Sequence, residues 1–373
     1  MKCWVILTLW AAMPFASRAQ VVDFFSVDNQ AGFLPYAVTS STVEMANYLR
    51  DNFNSDEART RAAYRWVTAN IRYDKDSMLY INWSKENDDK IAATLRRRKG
   101  VCDNFASVFA DLLLKMGIPA FVVNGNCRTG GGILNQAHSW AAVKIKGDWL
   151  LCDPTWDIGY TNSSRYFLIH PTDFIETHWP FDPLWQLLPY RVSYTEFVNG
   201  STYPDKNKQR YNISDSVNAF VALDNLQQME SSARRMKAAG AEREAQKNWY
   251  GYNQMNIAMV YGERTMQLYN TAVEELNKAS KLFNNFAAYR NNMFLPSRPD
   301  DEIKKMLQPV KELIHAAKRK ATTISTSKEN FQYDAGDLVE KLDGLEKKLQ
   351  DQLQFLHRYV TTGTAEREKL FYR

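Results

Sequence analysis

Apolar positions in the first half of the chain change period as they go, and each change marks an element. Residues 41–51 (STVEMANYLRD) open on Ser41 with Glu44 three places on, a capping box that predicts a helix. A second helix is predicted over 56–71, capped by Ser55 and carrying Ala62, Ala63, Trp66, Val67 and Ala69. Residues 70–89 are polar and irregular. A third helix opens at Gly100-Val101-Cys102. Its apolar positions Phe105, Val108, Phe109, Leu112, Leu113 and Met116 alternate spacings of three and four, and Gly117 and Pro119 stop it. The period then becomes two: strands are predicted at 120–124 (AFVVN), 138–145 (HSWAAVKI) and 149–153 (WLLCD). Lys146-Gly147-Asp148 joins the last two as a tight hairpin. A helix followed by an antiparallel meander gives an α+β domain, with the helix packed on the sheet. The aromatic, Pro-rich stretch from Tyr166 to Tyr190 is expected to wrap that sheet.

Beyond Tyr203-Pro204-Asp205 the pattern is helical throughout. Residues 215–292 and 300–361 are rich in Ala, Lys, Glu, Gln and Leu, and Met293–Pro299 reads as a turn between long helices. Leu338, Leu342, Leu345, Leu349 and Leu356 repeat at spacings of four and three, with Gln352 in the missing place, a coiled-coil-like seam. The expected organisation is therefore an α+β domain over 20–205 and an all-α hairpin or small bundle over 206–373. The helical part is expected to have a structural role or to dock a protein partner, and a chain ending near 205 to fold by itself.

Residues 1–19 read as a signal peptide: Lys2, an apolar stretch from Cys3 to Phe15, and Ser17-Arg18-Ala19 before the cut. Export to a periplasm or the extracellular space is expected. Cleavage leaves a net charge of +3 spread along the chain, which excludes a basic nucleic-acid surface. No apolar run approaches the ~20 residues of a membrane span. Cys102, Cys127 and Cys152 remain, an odd number, so at least one thiol is free or pairs outside the chain.

Cys102 stands at the first turn of its helix, where unpaired N–H groups and the positive end of the dipole favour a thiolate. The adjacent Arg96-Arg97-Arg98-Lys99 run reads more simply as a solvated loop. His138 begins one strand and Asp153 ends the next, so antiparallel pairing brings them to one rim of the sheet, if both point to the face packed by the Cys102 helix. A thiol nucleophile, an imidazole to move its proton and a carboxylate to hold the imidazole tautomer form a catalytic triad. Cys127 and Cys152, on the first and third strands, are expected to be separate buried thiols, with Cys152 facing away from the triad. Trp140 is expected to pack over the His–Asp pair.

The runs RAAYRWVTANIRYD, GVCDNFASVFADLLLKMGIPAFVVNG and HSWAAVKIKGDWLLCDPTWD resemble the transglutaminase-like superfamily of papain-fold thiol enzymes. YFLIHPTDFIETHWPFDPLWQLL further resembles the branch that includes the kyphoscoliosis peptidase, and together these runs cover residues 56–190. The resemblance implies a papain-like core with Cys102 as nucleophile, His138 as general base and Asp153 as orienting carboxylate. It also implies an oxyanion hole made by the Cys102 amide and an upstream donor, for which Tyr73 and Trp83 are the candidates. The expected function is a secreted cysteine peptidase or amidase acting on a protein or peptide through a thioester, with no cofactor. A transglutaminase-type acyl transfer to an amine would use the same residues. The alternative is a non-catalytic scaffold whose helical tail binds a partner. A metal site on His170, His178, Asp173 and Glu176 is not supported by any ligand spacing.

Overall fold

A computed structural model describes residues 22–76, 87–159, 164–240, 244–326 and 335–372. The predicted signal peptide and Trp83 lie outside the described residues. Contacts divide the chain into two compact units. One holds residues up to 224 with 231–250, and the other holds 225–230 with 251–373.

The first unit begins with helices α1 (Phe24–Ala31), α2 (Thr42–Asn52) and α3 (Asp56–Asn70). The Ser55 side chain caps α3 by accepting from the Ala58 amide at 3.1 Å. At α2 the expected box does not close: Ser41 caps the Val43 amide while Glu44 takes the Ser40 hydroxyl. Strand β1 (Arg72–Tyr73) lies in the stretch that read as irregular, and helix α4 (Asn87–Arg97) and strand β2 (Lys99–Gly100) follow where no element was expected. β1 and β2 pair in parallel, Tyr73 opposite Gly100. The basic run is anchored as well. Arg97 and Lys99 hold the buried Asp74 carboxylate at 2.8 and 2.9 Å, and the Arg98 guanidinium lies over the Trp66 ring.

Helix α5 (Cys102–Lys115) runs through the core, with Phe105, Val108, Phe109, Leu112 and Leu113 all fully buried. Gly117, at φ +82°, stops it as a residue free to adopt a left-handed conformation. The sheet comprises β3 (Ala120–Thr129), β4 (Gly132–Ile133), β5 (His138–Ile145), β6 (Asp148–Cys152) and β7 (His178–Pro180). Its order is β4-β3-β5-β6, and β7 also pairs with β3. Lys146 and Gly147, both at positive φ, make the two-residue β5–β6 turn.

Alternation sorts the sheet's side chains cleanly. Ala120, Ala141, Val143, Ile145 and Cys152 pack against α2, α3 and α5. Val123, Cys127, Trp140, Ala142 and Leu151 point the other way, onto Phe174, Leu184 and Trp185 of the aromatic stretch and onto Val217 and Phe220. That second layer includes helix α6 (Pro171–Phe174), helix α7 (Tyr194–Asn199), helix α8 (Ile213–Val221) and the later part of α9 (Asn225–Ala239), whose Met236 joins Trp179, Phe181 and Phe197. Arg235 forks onto the Asp182 carboxylate at 2.7 and 2.6 Å.

The second unit is all-α: most of α10 (Glu244–Asn291), then α11 (Asp300–Lys305), α12 (Gln308–Thr326) and α13 (Gly336–Thr361). The leucine seam of α13 is buried in full, together with Phe286, Phe294, Val310 and Ile314. Gln352, which breaks the seam, accepts from Arg290 at 2.8 Å. The fold is an α+β core followed by a helical C-terminal region.

Candidate active site

Why a helix begins at Cys102 is visible one residue earlier. Gly100 pairs with Tyr73, and its carbonyl accepts from the Asp74 amide at 2.8 Å. A Cβ on Gly100 would fall 2.5 Å from the Asn104 Cβ, so only glycine lets Asn104 fold back to accept from the Val101 amide at 2.9 Å. The turn is thereby fixed. The amides of the first helical residues, Cys102 among them, have no acceptor inside the helix. Cys102 is 5% exposed.

His138 and Asp153 sit at the open end of the β5–β6 hairpin, His138 Nε2 lying 2.7 Å from Asp153 Oδ2. The Cys102 sulfur lies near enough to the same imidazole to help raise its pKa. Nε2 is committed to the carboxylate, which leaves Nδ1 as the nitrogen free to serve the sulfur. The structure brings His138 and Asp153 into contact and Cys102 into their neighbourhood, by a route the sequence did not indicate. His138 aligns with Trp140 and Ala142, on the face away from α5, and Cys102 is the first residue of that helix. Cys152 does point to α5 and away from the site.

Asp153 is fully buried and saturated with donors. Its Oδ1 accepts from the Thr155 and Trp156 amides at 2.8 and 3.3 Å. Its Oδ2 accepts from His138 and from a second imidazole, His178 Nε2, at 3.2 Å. Burial opposes its charge, but His138 and the two imidazole hydrogen bonds win and hold the carboxyl well below its usual range. Burial likewise opposes charge on His138, yet the Asp153 carboxylate and the Cys102 sulfur raise it to about 10. At neutral pH the pair is imidazolium and carboxylate. His178 goes the other way: burial lowers it to about 4 against the pull of Asp153, so it is neutral.

Sequence reasoning missed His178, Tyr64 and Asp157. The Tyr64 hydroxyl lies 2.8 Å from the Asp153 carbonyl oxygen and 2.7 Å from Asp157 Oδ2, and Asp157 also accepts from the Arg165 and Tyr166 amides. Tyr64 belongs to the RAAYRWV run, so its signal was present without a partner to give it meaning. His178 was visible only as a possible metal ligand with His170, which is exposed and caps α6 instead.

Tyr73 is half-buried, and burial followed by the charges of Cys102 and Asp153 raises its hydroxyl to about 12. It stays a hydrogen-bond donor in the neighbourhood of the sulfur. Trp140 is fully buried beside His138, ring centroids 6.3 Å apart.

All three described cysteines are free and buried. Cys127, opposite His178 in the sheet, brings its sulfur within 4.8 Å of ring nitrogens of both His138 and His178. These three could hold a soft divalent cation. Against that use, Asp153 occupies the Nε2 of both imidazoles, and burial, with the charges of Asp153 and Cys102, pushes the Cys127 thiol well up. A cavity of about 720 Å³ opens on Trp156, whose ring lies 5.6 Å from that of His138; its wall includes Tyr166, Thr177 and Arg128 but not Cys102, His138 or Asp153.

A family model described as the transglutaminase-like superfamily matches residues 43–154, which contain Cys102, His138 and Asp153. The chain carries a transglutaminase-like domain. Kyphoscoliosis peptidase of Mus musculus is 31% identical over 43% of this chain and 26% of its own length. Lim and transglutaminase domain protein ltd-1 of Caenorhabditis elegans is 24% identical over 49% and 29%. The chain thus spans about a quarter of the curated relatives it matches. The periplasmic domain of TgpA from Pseudomonas aeruginosa aligns with a TM-score of 0.27 at 23% identity, over 36% of this chain and 48% of that one. No described helix of the chain is long and apolar enough to cross a membrane.

Proposed function

We propose that this chain is an exported transglutaminase-like cysteine enzyme that opens amide bonds of a protein or peptide through a thioester on Cys102. Support comes chiefly from one arrangement: an imidazole with one nitrogen on a buried carboxylate, and close by a thiol at a helix N-terminus. The Cys102 sulfur adds to the amide carbonyl, and the amides of the first helical turn receive the developing oxyanion. His138 gives its proton to the leaving amine as the C–N bond breaks. Asp153 keeps Nε2–H turned inward, so Nδ1 faces the sulfur throughout. Water then adds to the thioester, His138 takes its proton, and the acid leaves as the thiol is restored. The cavity beside Trp156 offers room for a substrate side chain. Kyphoscoliosis peptidase, by its name a peptidase, favours water over an amine as acceptor.

The test pairs the protein with a Cys102→Ala variant. Both are incubated with peptide mixtures, with and without a fluorescent primary amine, and the products are read by mass. Cleaved or deamidated peptide made only by the intact thiol supports hydrolysis, and amine incorporation would reassign the acceptor. The competing reading, a scaffold whose C-terminal helices hold a partner, expects Cys102 to be alkylated by iodoacetamide no faster than free cysteine.

A further inference from the structure

The motif that the proposed chemistry leaves unused is the stretch after Asp153, and one polar side chain in it is out of place. His178 is 1% exposed, in a box of aromatic rings. Phe174 stacks on it at 4.0 Å between centroids, with Trp156 at 4.5, Trp140 at 5.0 and Tyr166 at 5.6 Å. A phenylalanine would fill such a box without desolvating two nitrogens, so the imidazole must owe its place to its hydrogen bonds. There are two. Nε2 lies 3.2 Å from Asp153 Oδ2 and Nδ1 lies 2.8 Å from Thr177 Oγ1. An ionised carboxylate only accepts, so Nε2 carries the hydrogen. In a neutral ring Nδ1 must then accept, from the Thr177 hydroxyl.

We infer that His178 is a positioning residue: with Thr177 holding the Nδ1 edge of its ring, it clamps Asp153 Oδ2 alongside His138 and so aims the His138 imidazole at Cys102. The inference rests on the catalytic reading of Cys102, His138 and Asp153. The geometry has the parts a clamp needs. β7 pairs with β3 and fixes the His178 backbone, the four rings fix its plane, and both amides on Oδ1 leave Oδ2 as the only oxygen the imidazoles share. Without His178, Oδ2 is held by His138 alone, and the carboxylate can pivot about its two Oδ1 bonds instead of holding the imidazole in one orientation. The ionisable groups facing the two imidazoles are Asp153, Cys102, Cys127 and Tyr166.

The test compares His178→Phe, His178→Gln and Thr177→Val in the full chain, with two readouts that need no substrate. One is the rate of Cys102 alkylation by iodoacetamide from pH 5 to 9. The other is the downfield imidazole N–H resonance of the His138–Asp153 pair in proton NMR. His178→Phe should slow alkylation at pH 6 by about 10-fold to 100-fold, the worth of one hydrogen bond to a charged group, and should shift or broaden the resonance. His178→Gln, whose amide nitrogen can replace the donor, should recover most of both. Thr177→Val, on a half-buried turn and harmless to folding, should show the same change in smaller degree. Unchanged rates and resonance in His178→Phe and Thr177→Val would overturn the inference, as would a glutamine variant no better than phenylalanine. If Cys102 of the unmodified chain shows no enhanced reactivity while the resonance still responds to His178, the clamp stands and the catalytic reading falls.

Discussion

Replacing Asp153 by asparagine changes one atom and sets two demands against each other. The carboxylate accepts four hydrogen bonds, two amides on Oδ1 and two imidazoles on Oδ2. An asparagine offers one oxygen and one NH2. With the oxygen toward Thr155 and Trp156, its NH2 faces two Nε2 atoms; with the oxygen toward the histidines, it faces two backbone N–H groups. Either way donors oppose donors in a site closed to water, and His138 loses the countercharge that keeps it protonated. In the first orientation His138 must also move its hydrogen to Nδ1, taking away the nitrogen that serves Cys102. Removing one partner of a buried pair costs about 3–5 kcal/mol, and we expect that much destabilisation of the first unit. At about 2–4 °C per kcal/mol for a domain this size, the melting point should fall by about 10 °C. The assay is direct because all ten tryptophans lie at or before residue 249, so their fluorescence reports the first unit alone. Alkylation of Cys102 at pH 7 should slow in step. An Asp153→Asn variant within about 1 kcal/mol of the original by urea unfolding, with unchanged alkylation, would refute the account of Asp153 as a saturated, charged anchor.

Other consequences can be checked alongside. His178, lowered to about 4, contributes stability that is present above its unfolded value of 6.5 and is lost as pH falls toward 4. His138, raised to about 10, contributes stability present below 6.5 and lost as pH rises toward 10. Urea midpoints should therefore peak near pH 6.5, each histidine adding a slope of about 1.4 kcal/mol per pH unit, and His178→Phe should flatten the acid side only. Gly125→Ala would put a Cβ 2.2 Å from the Trp179 carbonyl and 2.7 Å from the Pro180 Cα, so β7 must part from β3. Overpacking of this kind costs about 1–3 kcal/mol, and the His178 contact should go with it, visible as slower Cys102 alkylation in a folded protein. A chain ended at residue 205 loses Val217, Phe220 and the Arg235–Asp182 pair, uncovering Phe121 and Trp185. It should bind a hydrophobic dye and aggregate, while a chain keeping residues to 250 should do so less.

What could be read from the sequence was whatever is set locally. The three-four spacing of Phe105 to Met116 gave α5, the alternation in 138–145 gave β5 to the residue, and Ser55 capped α3 where expected. α4 escaped because only Ile91, Thr94 and Leu95 are buried on it, too few apolar positions to show a period. His138 and Asp153 were recoverable because a two-residue turn makes their meeting a matter of counting. The face they use was not, since which side of a sheet a helix covers depends on α2 and α3 as much as on α5. His178 lies 25 residues from Asp153, and its contact depends on the β3–β7 pairing, which no local pattern announces. Residues 206–224 read as the beginning of the helical tail, yet they pack with the first unit, because their apolar positions complete an aromatic layer and not a leucine seam.

The hairpin that carries His138 and Asp153 also sets an order of assembly. These two residues are only 15 apart, joined by a turn whose closure costs little entropy, so the proton-handling half of the site is available as soon as β5 and β6 zip together. The sulfur arrives by a longer route, through docking of α5 and the parallel Tyr73–Gly100 pairing. A chain loosened by heat or denaturant should accordingly lose its reactive thiol before it loses its His–Asp contact, and the folding of this protein should end where its chemistry begins, at the tip of α5.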